Sequence, residues 1–257
     1  MPLLPYLCRM LYVVPTPVGN MEDMTMRAIR VLNEADLILA EDTRTSGVLL
    51  SRYDIHTPVI SYHKYNEHES VNELVGRLEG GMKIALISDA GTPGISDPGF
   101  LLVREAVKRG VEVQTLPGAT AFVPSLVSSG LPCNKFIFEG FLPQKKGRLS
   151  RIQLYKNEER TVIFYESPRR LQKTLEQFIS EYGEERQICV SREISKIHES
   201  HVRVTLREVS DYFSQHEPLG EIVIILGPQV VSVPTRAGEE NELIMGKGKS
   251  KNKYKIK

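Results

Sequence analysis

The sequence predicts an α/β protein made of two α/β units. Short apolar runs, each the length of a buried strand, alternate with stretches in which apolar residues recur at helical spacing. Segments rich in glycine and proline separate these elements along the chain. The chain has 257 residues, which is long enough for one large domain or two of ordinary size.

Composition narrows the class of protein. Hydrophobic residues make up 41% of the chain and charged residues 25%, as in soluble globular proteins. The net charge of +1 gives no overall field for nucleic acid, so any such binding must depend on local patches. The cysteines, Cys8, Cys133 and Cys189, fit neither a disulfide framework nor a metal site, which favours a reducing, cytoplasmic setting.

The ends of the chain are predicted to lie outside the folded units. Residues 1–10 are interpreted as an extension that precedes the first predicted strand, and they lack the basic region and the cleavage site of a signal peptide. Residues 231–257 are predicted to be a disordered basic tail, since six of the last eleven residues are lysine. No apolar run approaches the roughly 18 residues of a membrane span, so no membrane association is expected.

The first unit, residues 11–130, is predicted to contain a mostly parallel sheet with helices on both faces. Its five predicted strands are 11–14, 37–40, 59–60, 84–87 and 111–116. A polar or turn-rich loop follows each of them. Because the carboxyl ends of parallel strands meet at one edge of a sheet, these loops should share a rim.

The loop after the fourth strand, residues 88–99, is the strongest functional signal. Its glycines allow backbone to approach a ligand closely, and its two prolines stiffen it. Asp89 and Asp97 bracket the loop, with hydroxyl side chains between them. It is much longer than most connections between a strand and a helix, which favours a binding site over an ordinary glycine-rich connection.

The second unit, residues 131–230, repeats the alternation of strands and helices. Its predicted strands are 136–138, 161–165, 188–190, 201–205 and 222–226. One of these strands alternates polar and apolar residues, which predicts that it is half exposed and antiparallel.

Several motifs are missing from the chain. No G-x-G-x-x-G follows a predicted strand, and no P-loop is present, so neither a Rossmann nor a Walker nucleotide site is predicted. His198 and His201 lack companion ligands, and no metal site is predicted.

Polar residues at the strand ends are candidates for chemistry. Glu41 and Asp42 follow the second strand and His63 follows the third, where they could act as acids or bases. The alternative is that Glu41 and Asp42 cap a helix and pair with Arg44, and that His63 is a surface residue.

Two basic segments of the second unit are candidates for phosphate contacts, with solvated surface as the alternative. The residues concerned are Lys145, Lys146, Arg148, Arg169 and Arg170.

Five segments together resemble the motifs of one enzyme family, in the same order. They are Thr16-Pro17-Val18-Gly19-Asn20, Ala40-Glu41-Asp42-Thr43-Arg44, Ser61-Tyr62-His63, residues 88–99, and Phe141-Leu142-Pro143 with Lys145-Lys146-Gly147-Arg148. The chain resembles a family of ribosomal RNA small-subunit methyltransferases within the tetrapyrrole methylase superfamily. The resemblance covers about residues 10–228.

The resemblance implies two α/β domains with S-adenosylmethionine in the cleft between them, and a homodimer. It implies 2′-O-methylation of a cytidine in the decoding region of small-subunit (16S) ribosomal RNA, with the RNA or the 30S subunit as partner. Cofactor-binding residues are assigned by motif, with Pro17 and Asp89 added from two strand-end loops. The motif residues are Ala90, Gly91, Thr92, Ile95, Thr120, Ala121, Tyr165 and Glu166.

A ribose hydroxyl is a weak nucleophile, so this reaction would benefit from a general base. We predict that Glu41, Asp42 or His63 supplies it, and favour Glu41. Predicted RNA contacts are Arg44 together with the five basic residues of the second unit.

Two other functions remain open. Tetrapyrrole C-methyltransferases have Gly-Gly-Asp-Pro where this chain has Ala90-Gly91-Thr92-Pro93, and the missing acid weakens that alternative. A non-catalytic RNA-binding module is the other, and the polar rim of the first unit disfavours it.

Overall fold

The computed structural model describes residues 9–229, which form two five-stranded sheets. Residues 1–8 and 230–257, with most of the predicted extension and the whole predicted tail, lie outside the described residues. No helix within 9–229 has both the length and the apolar character needed to cross a bilayer.

The first sheet is parallel throughout, with strand order β3-β2-β4-β1-β5. Its strands are β1 (Met10–Val13), β2 (Leu37–Ala40), β3 (Val59–Ser61), β4 (Lys83–Ile87) and β5 (Glu112–Thr115). All four residues of β2 are buried, as expected for a strand covered on both faces. The five predicted strands and their parallel arrangement are confirmed.

Helices cover both faces of this sheet. They are α1 (Met26–Glu34), α2 (Thr43–Arg52), α3 (Glu67–Glu79) and α4 (Phe100–Lys108). Successive strand residues point to opposite faces. Accordingly, Ile38 packs in one apolar cluster with α1, and Leu39 packs in another with α3 and α4.

Helix α5 (Phe122–Ser128) follows the first sheet in sequence but packs on the second. Its Leu126 is buried against Ile163, Val223 and Ile225. The chain therefore passes from the first sheet to the second before residue 122, whereas the predicted domain boundary lies at residue 130.

The second sheet is mixed, with strand order β6-β7-β10-β8-β9. Its strands are β6 (Phe136–Phe141), β7 (Thr161–Glu166), β8 (Gln187–Arg192), β9 (Ser200–Thr205) and β10 (Ile222–Leu226). Strands β6 and β7 are parallel, whereas β10 is antiparallel to β7 and β8, and β9 is antiparallel to β8. Helices α6 (Arg148–Gln153), α7 (Pro168–Tyr182) and α8 (Leu206–Gln215) cover the face opposite α5.

Candidate active site between the two sheets

A cavity of about 360 Å³ lies between the two sheets. This volume falls within the range of about 300–1,000 Å³ that is typical of small-molecule sites. Both halves of the chain contribute to its walls. The lining residues are Val18, 90–92, 95–97, Thr120 and Ala121 from the first half, and Phe141, 165–168 and 220–223 from the second.

The glycine-rich loop after β4 forms one wall. Gly91 has φ of +82°, a conformation that glycine adopts without steric cost, and its backbone is paired with that of Thr16. The Thr16 N–H donates to the Gly91 carbonyl at 2.8 Å, and the Gly91 N–H donates back at 2.9 Å. A Cβ at Gly99 would lie 2.9 Å from the Leu86 side chain. The loop is thus a fixed surface.

The segment that crosses from the first sheet to the second, residues 116–121, forms a second wall. The Thr92 hydroxyl donates to the Ala119 carbonyl at 3.1 Å, which joins this segment to the glycine-rich loop. A Cβ at Gly118 would lie 2.6 Å from the Cβ of Pro15, so only glycine permits this close approach. Thr120 and Ala121 follow directly and line the cavity.

Aromatic rings form the wall that belongs to the second sheet. The rings of Phe141 and Tyr165 meet at 5.4 Å between centroids, and Phe138 contacts Tyr165 from behind at 5.2 Å. Burial, followed by the charge of Asp97, raises the pKa of Tyr165 to about 12, so its phenol stays protonated at neutral pH. These rings offer an apolar surface with one polar atom, the Tyr165 hydroxyl.

Glu166 closes this wall through ion pairs with two arginines. Its carboxylate lies 3.1 Å from Arg148 Nη2 and 2.8 Å from Arg170 Nε. It also accepts hydrogen bonds from the Thr174 hydroxyl and the Ser167 N–H. The negative charge of Glu166 is therefore already balanced within the protein.

Asp97 is a residue that sequence reasoning did not place in the site, and it lines the cavity. Burial, then the charges of Glu41 and Asp89, raise its pKa to about 7. The sequence feature that could have identified Asp97 is its position between a serine and a proline at the end of the glycine-rich loop. From the sequence alone, Asp97 is interpreted only as one of two aspartates that bracket that loop.

Eight of the ten predicted cofactor-binding residues line the cavity: Ala90, Gly91, Thr92, Ile95, Thr120, Ala121, Tyr165 and Glu166. The other two, Pro17 and Asp89, line a separate pocket of about 130 Å³ on the first half of the chain. Their roles in cofactor binding stay predictions.

The predicted catalytic residues lie outside the lining of this cavity. Burial and then Asp89 raise the pKa of Glu41, while His63 opposes this. Asp42 caps α2 and accepts hydrogen bonds from Arg44, which lower its pKa to about 2. A carboxylate of such low basicity accepts a proton poorly, whereas Glu41 and His63 keep their predicted roles as candidates.

The six predicted RNA contacts divide into two groups. Lys145, Lys146 and Arg169 are exposed, and Arg44 is exposed while paired with Asp42. Arg148 is only 6% exposed and is bound by Glu166, Gln177 and the Pro143 carbonyl, so its assignment to RNA is wrong. Arg170 is held by Glu166 and Ser167.

Comparison with known proteins identifies the family. The family described as Tetrapyrrole (Corrin/Porphyrin) Methylases matches residues 10–210. Over 232 residues the chain is 46% identical to ribosomal RNA small subunit methyltransferase I of Synechocystis sp., covering 90% of this chain and 83% of that protein. The enzyme of the same name from Thermotoga maritima is 44% identical over 216 residues, 84% of this chain and 97% of that one.

The chain belongs to the ribosomal RNA small subunit methyltransferase I family of tetrapyrrole methylases. The predicted family is thereby confirmed.

Solved structures show the fold of this family. A cobalt precorrin-4 methyltransferase superposes with a TM-score of 0.63 at 19% identity, covering 88% of this chain and 98% of that one. Uroporphyrin-III C-methyltransferase of Thermus thermophilus, in complex with S-adenosylhomocysteine, gives 0.60 at 21% identity, covering 84% and 96%. The predicted fold class is confirmed. The prediction that the cofactor is S-adenosylmethionine is also confirmed. The chain belongs to a family of methyltransferases, and a solved structure with the same fold holds S-adenosylhomocysteine.

The cavity fits S-adenosylmethionine on its own geometry. Gly91 lines the cavity with φ of +82°, a conformation that a larger residue would adopt only with strain, and its pairing with Thr16 fixes the backbone there. Opposite, Phe141 and Tyr165 supply an apolar face that suits a flat adenine ring.

Proposed function

We propose that this chain transfers the methyl group of S-adenosylmethionine to the ribose 2′-oxygen of a cytidine in the decoding region of small-subunit ribosomal RNA. One observation carries the proposal. Three of the five segments that resemble this family's motifs, residues 16–20, 88–99 and 141–148, contribute to one cavity, in a chain 46% identical to a ribosomal RNA small subunit methyltransferase I.

The residues lining the cavity would hold the cofactor in a fixed orientation. Backbone around Gly91 and Thr92, with the adjacent Thr120 and Ala121, would take its polar groups, and Tyr165 its ring. S-adenosylmethionine supplies an activated methyl group on a sulfonium. Transfer then depends on an in-line approach, to which positioning contributes more than covalent catalysis.

The exposed cations would bind the RNA backbone. Lys145 and Lys146 follow Phe141, which lines the cavity, so RNA held by them would lie close to the methyl donor. Arg169 lies in the first turn of α7, the helix after Glu166, and Arg44 lies on the rim of the first sheet. Cations on both halves would place the RNA across the opening between them.

A homodimer in the cytoplasm completes the proposal. Exposed apolar side chains support an interface between copies, among them Val123 and Val127 of α5 and Phe136 of β6. Sedimentation of the purified protein should give twice the mass of one chain, and Val127→Lys should shift it toward the monomer.

The experiment is an incubation of the protein with radiolabelled S-adenosylmethionine and one of three substrates. These are 30S subunits, naked small-subunit RNA, and a porphyrinoid precursor. We expect label in RNA, recovered as 2′-O-methylcytidine and protecting one phosphodiester from alkaline cleavage. Label on the base would contradict ribose transfer, and label in the porphyrinoid would favour the tetrapyrrole C-methyltransferase.

A further inference from the structure

Three carboxylate side chains line the cavity within residues 9–229, and two of them are paired with cations. Glu166 is neutralised by Arg148 and Arg170. Glu221 lies 3.4 Å from Lys196 Nζ, and its side chain is 68% exposed. Among the ion pairs of the described residues none involves Asp97, so it is the carboxyl group of this cavity that has no paired cation.

The backbone around Asp97 holds it in place. Ser96 has φ of +67° and Gly99 φ of +141°, on either side of Asp97 and the rigid Pro98. The Gly94 N–H donates to the Pro98 carbonyl at 3.2 Å and closes the turn. A non-glycine residue with positive φ persists only where its surroundings enforce it, and such residues cluster at functional sites.

The titratable groups that interact with Asp97 come from the ends of three strands. Glu41 follows β2, Asp89 follows β4, and Tyr165 belongs to β7, while the paired Glu166 and Glu221 share the cavity. Burial and the charges of Glu41 and Asp89 raise the pKa of Asp97 to about 7, which the Ser88 hydroxyl opposes only in part. A general base works best when its pKa lies near the operating pH.

We propose that Asp97 is the catalytic base of this methyl transfer, an inference that rests on the proposed ribose methylation. The Asp97 carboxylate takes the proton of the 2′-hydroxyl while the 2′-oxygen bonds to the methyl carbon. The carbon–sulfur bond breaks, and its electron pair goes to sulfur, which leaves a neutral thioether. The proton on Asp97 then passes to solvent.

This assignment gives Glu41 a different part from the one predicted from sequence. Glu41 lies outside the cavity lining, and its negative charge makes Asp97 more basic. Glu41→Gln should therefore move the pH midpoint of the reaction to lower values.

The test is single-turnover methyl transfer to 30S subunits or naked RNA across pH 5–9, whichever is the better wild-type substrate. Asp97→Asn should reduce the rate by about 10²–10⁴-fold. The wild-type rate should rise with pH and level off above about 7, and the residual rate of Asp97→Asn should lack this rise. Asp97→Glu, which restores a carboxylate, should recover part of the rate.

Cofactor binding measured by calorimetry shows whether each variant is folded, and Asp97→Asn should retain the wild-type dissociation constant within a fewfold. Asp211→Asn, an exposed aspartate on α8, is the matched control and should behave as wild type.

Two results would overturn the proposals separately. A wild-type protein that methylates no ribose overturns the proposed function, and the inference with it. Wild-type methylation that persists in Asp97→Asn overturns the inference alone. In that case, a loss in Glu41→Gln at all pH values would identify Glu41 as the base.

Discussion

The two sheets of this protein differ in how directly sequence order gives position in space. In the first sheet all strands are parallel, so every loop that follows a strand lies at the same edge. In the second sheet β8, β9 and β10 run antiparallel to their neighbours, and that rule does not hold for them. The edge at which a loop lies can therefore be predicted from sequence in the parallel sheet, whereas in the mixed sheet it requires the structure.

In the basic segment of the second half, residues 145–148, neighbouring cations also differ in whether they reach solvent. Lys145 and Lys146 are exposed, and Arg148, two residues on, is buried. Gly147 has φ of +83° and immediately precedes α6, so the chain turns there and directs Arg148 inward. The charge pattern of the sequence predicts all three residues as RNA contacts, because it does not distinguish an exposed cation from a buried one.

The largest effect is expected in the glycine-rich loop of the first half. Gly91→Leu should abolish binding of S-adenosylmethionine, because the side chain would fill the cavity from a backbone with positive φ. Calorimetry on the free protein measures this, and wild type should bind without RNA. Gly76→Leu, on an open face of α3, is the control and should bind normally. Unchanged affinity in Gly91→Leu would remove this loop from the cofactor site.

The second prediction concerns the stability of the second half. Arg148→Ala should lower the free energy of unfolding by about 3 kcal/mol, since it breaks a buried ion pair and leaves its hydrogen-bond partners unmatched. Lys145→Ala should change it by less than about 0.5 kcal/mol. Urea unfolding compares the two. Equal stability of both variants would contradict the structural role of Arg148.

A third prediction separates RNA contacts from structural arginines. The double variant Lys145→Ala, Lys146→Ala should weaken RNA binding and lower the salt slope of log K by about two, roughly one for each lost phosphate contact. Cofactor affinity should stay at the wild-type value. A salt slope equal to that of wild type would mean that these lysines are only solvated surface.

The smallest effect is the pH dependence of thermal stability. The pKa of Asp97 is raised to about 7, above the value of about 4 for an unfolded aspartate, so the folded state holds its proton more tightly. Stability from this group is fully present below pH 4 and is lost as the pH rises through 7. Asp97→Asn removes that loss and should raise the melting temperature by a few degrees at pH 8, but not at pH 4. If both proteins had the same melting temperature at pH 8, the pKa of Asp97 would not be raised in the folded state.

Much of the fold was predictable, for reasons visible at particular residues. Apolar runs such as Leu37–Ala40 and Ile222–Leu226 mark buried strands whatever their direction. The direction of β10 was not predictable, because it depends on the insertion of this strand between β7 and β8. The cofactor loop was found through its glycines. Asp97 was missed because its proximity to Glu41 and Asp89 arises only when the ends of β2 and β4 come together.

Helix α5 has a consequence for any attempt to divide the protein. A fragment ending at residue 130 would carry Leu126 and Phe122 without the strands that cover them, and this bare apolar helix would promote aggregation. A cut ahead of Pro117 would leave the first fragment with its five strands complete and give the second the helix that caps its sheet. This cut would place the residues that line the cavity on two separate fragments. Cofactor binding would therefore show whether the fragments reassemble.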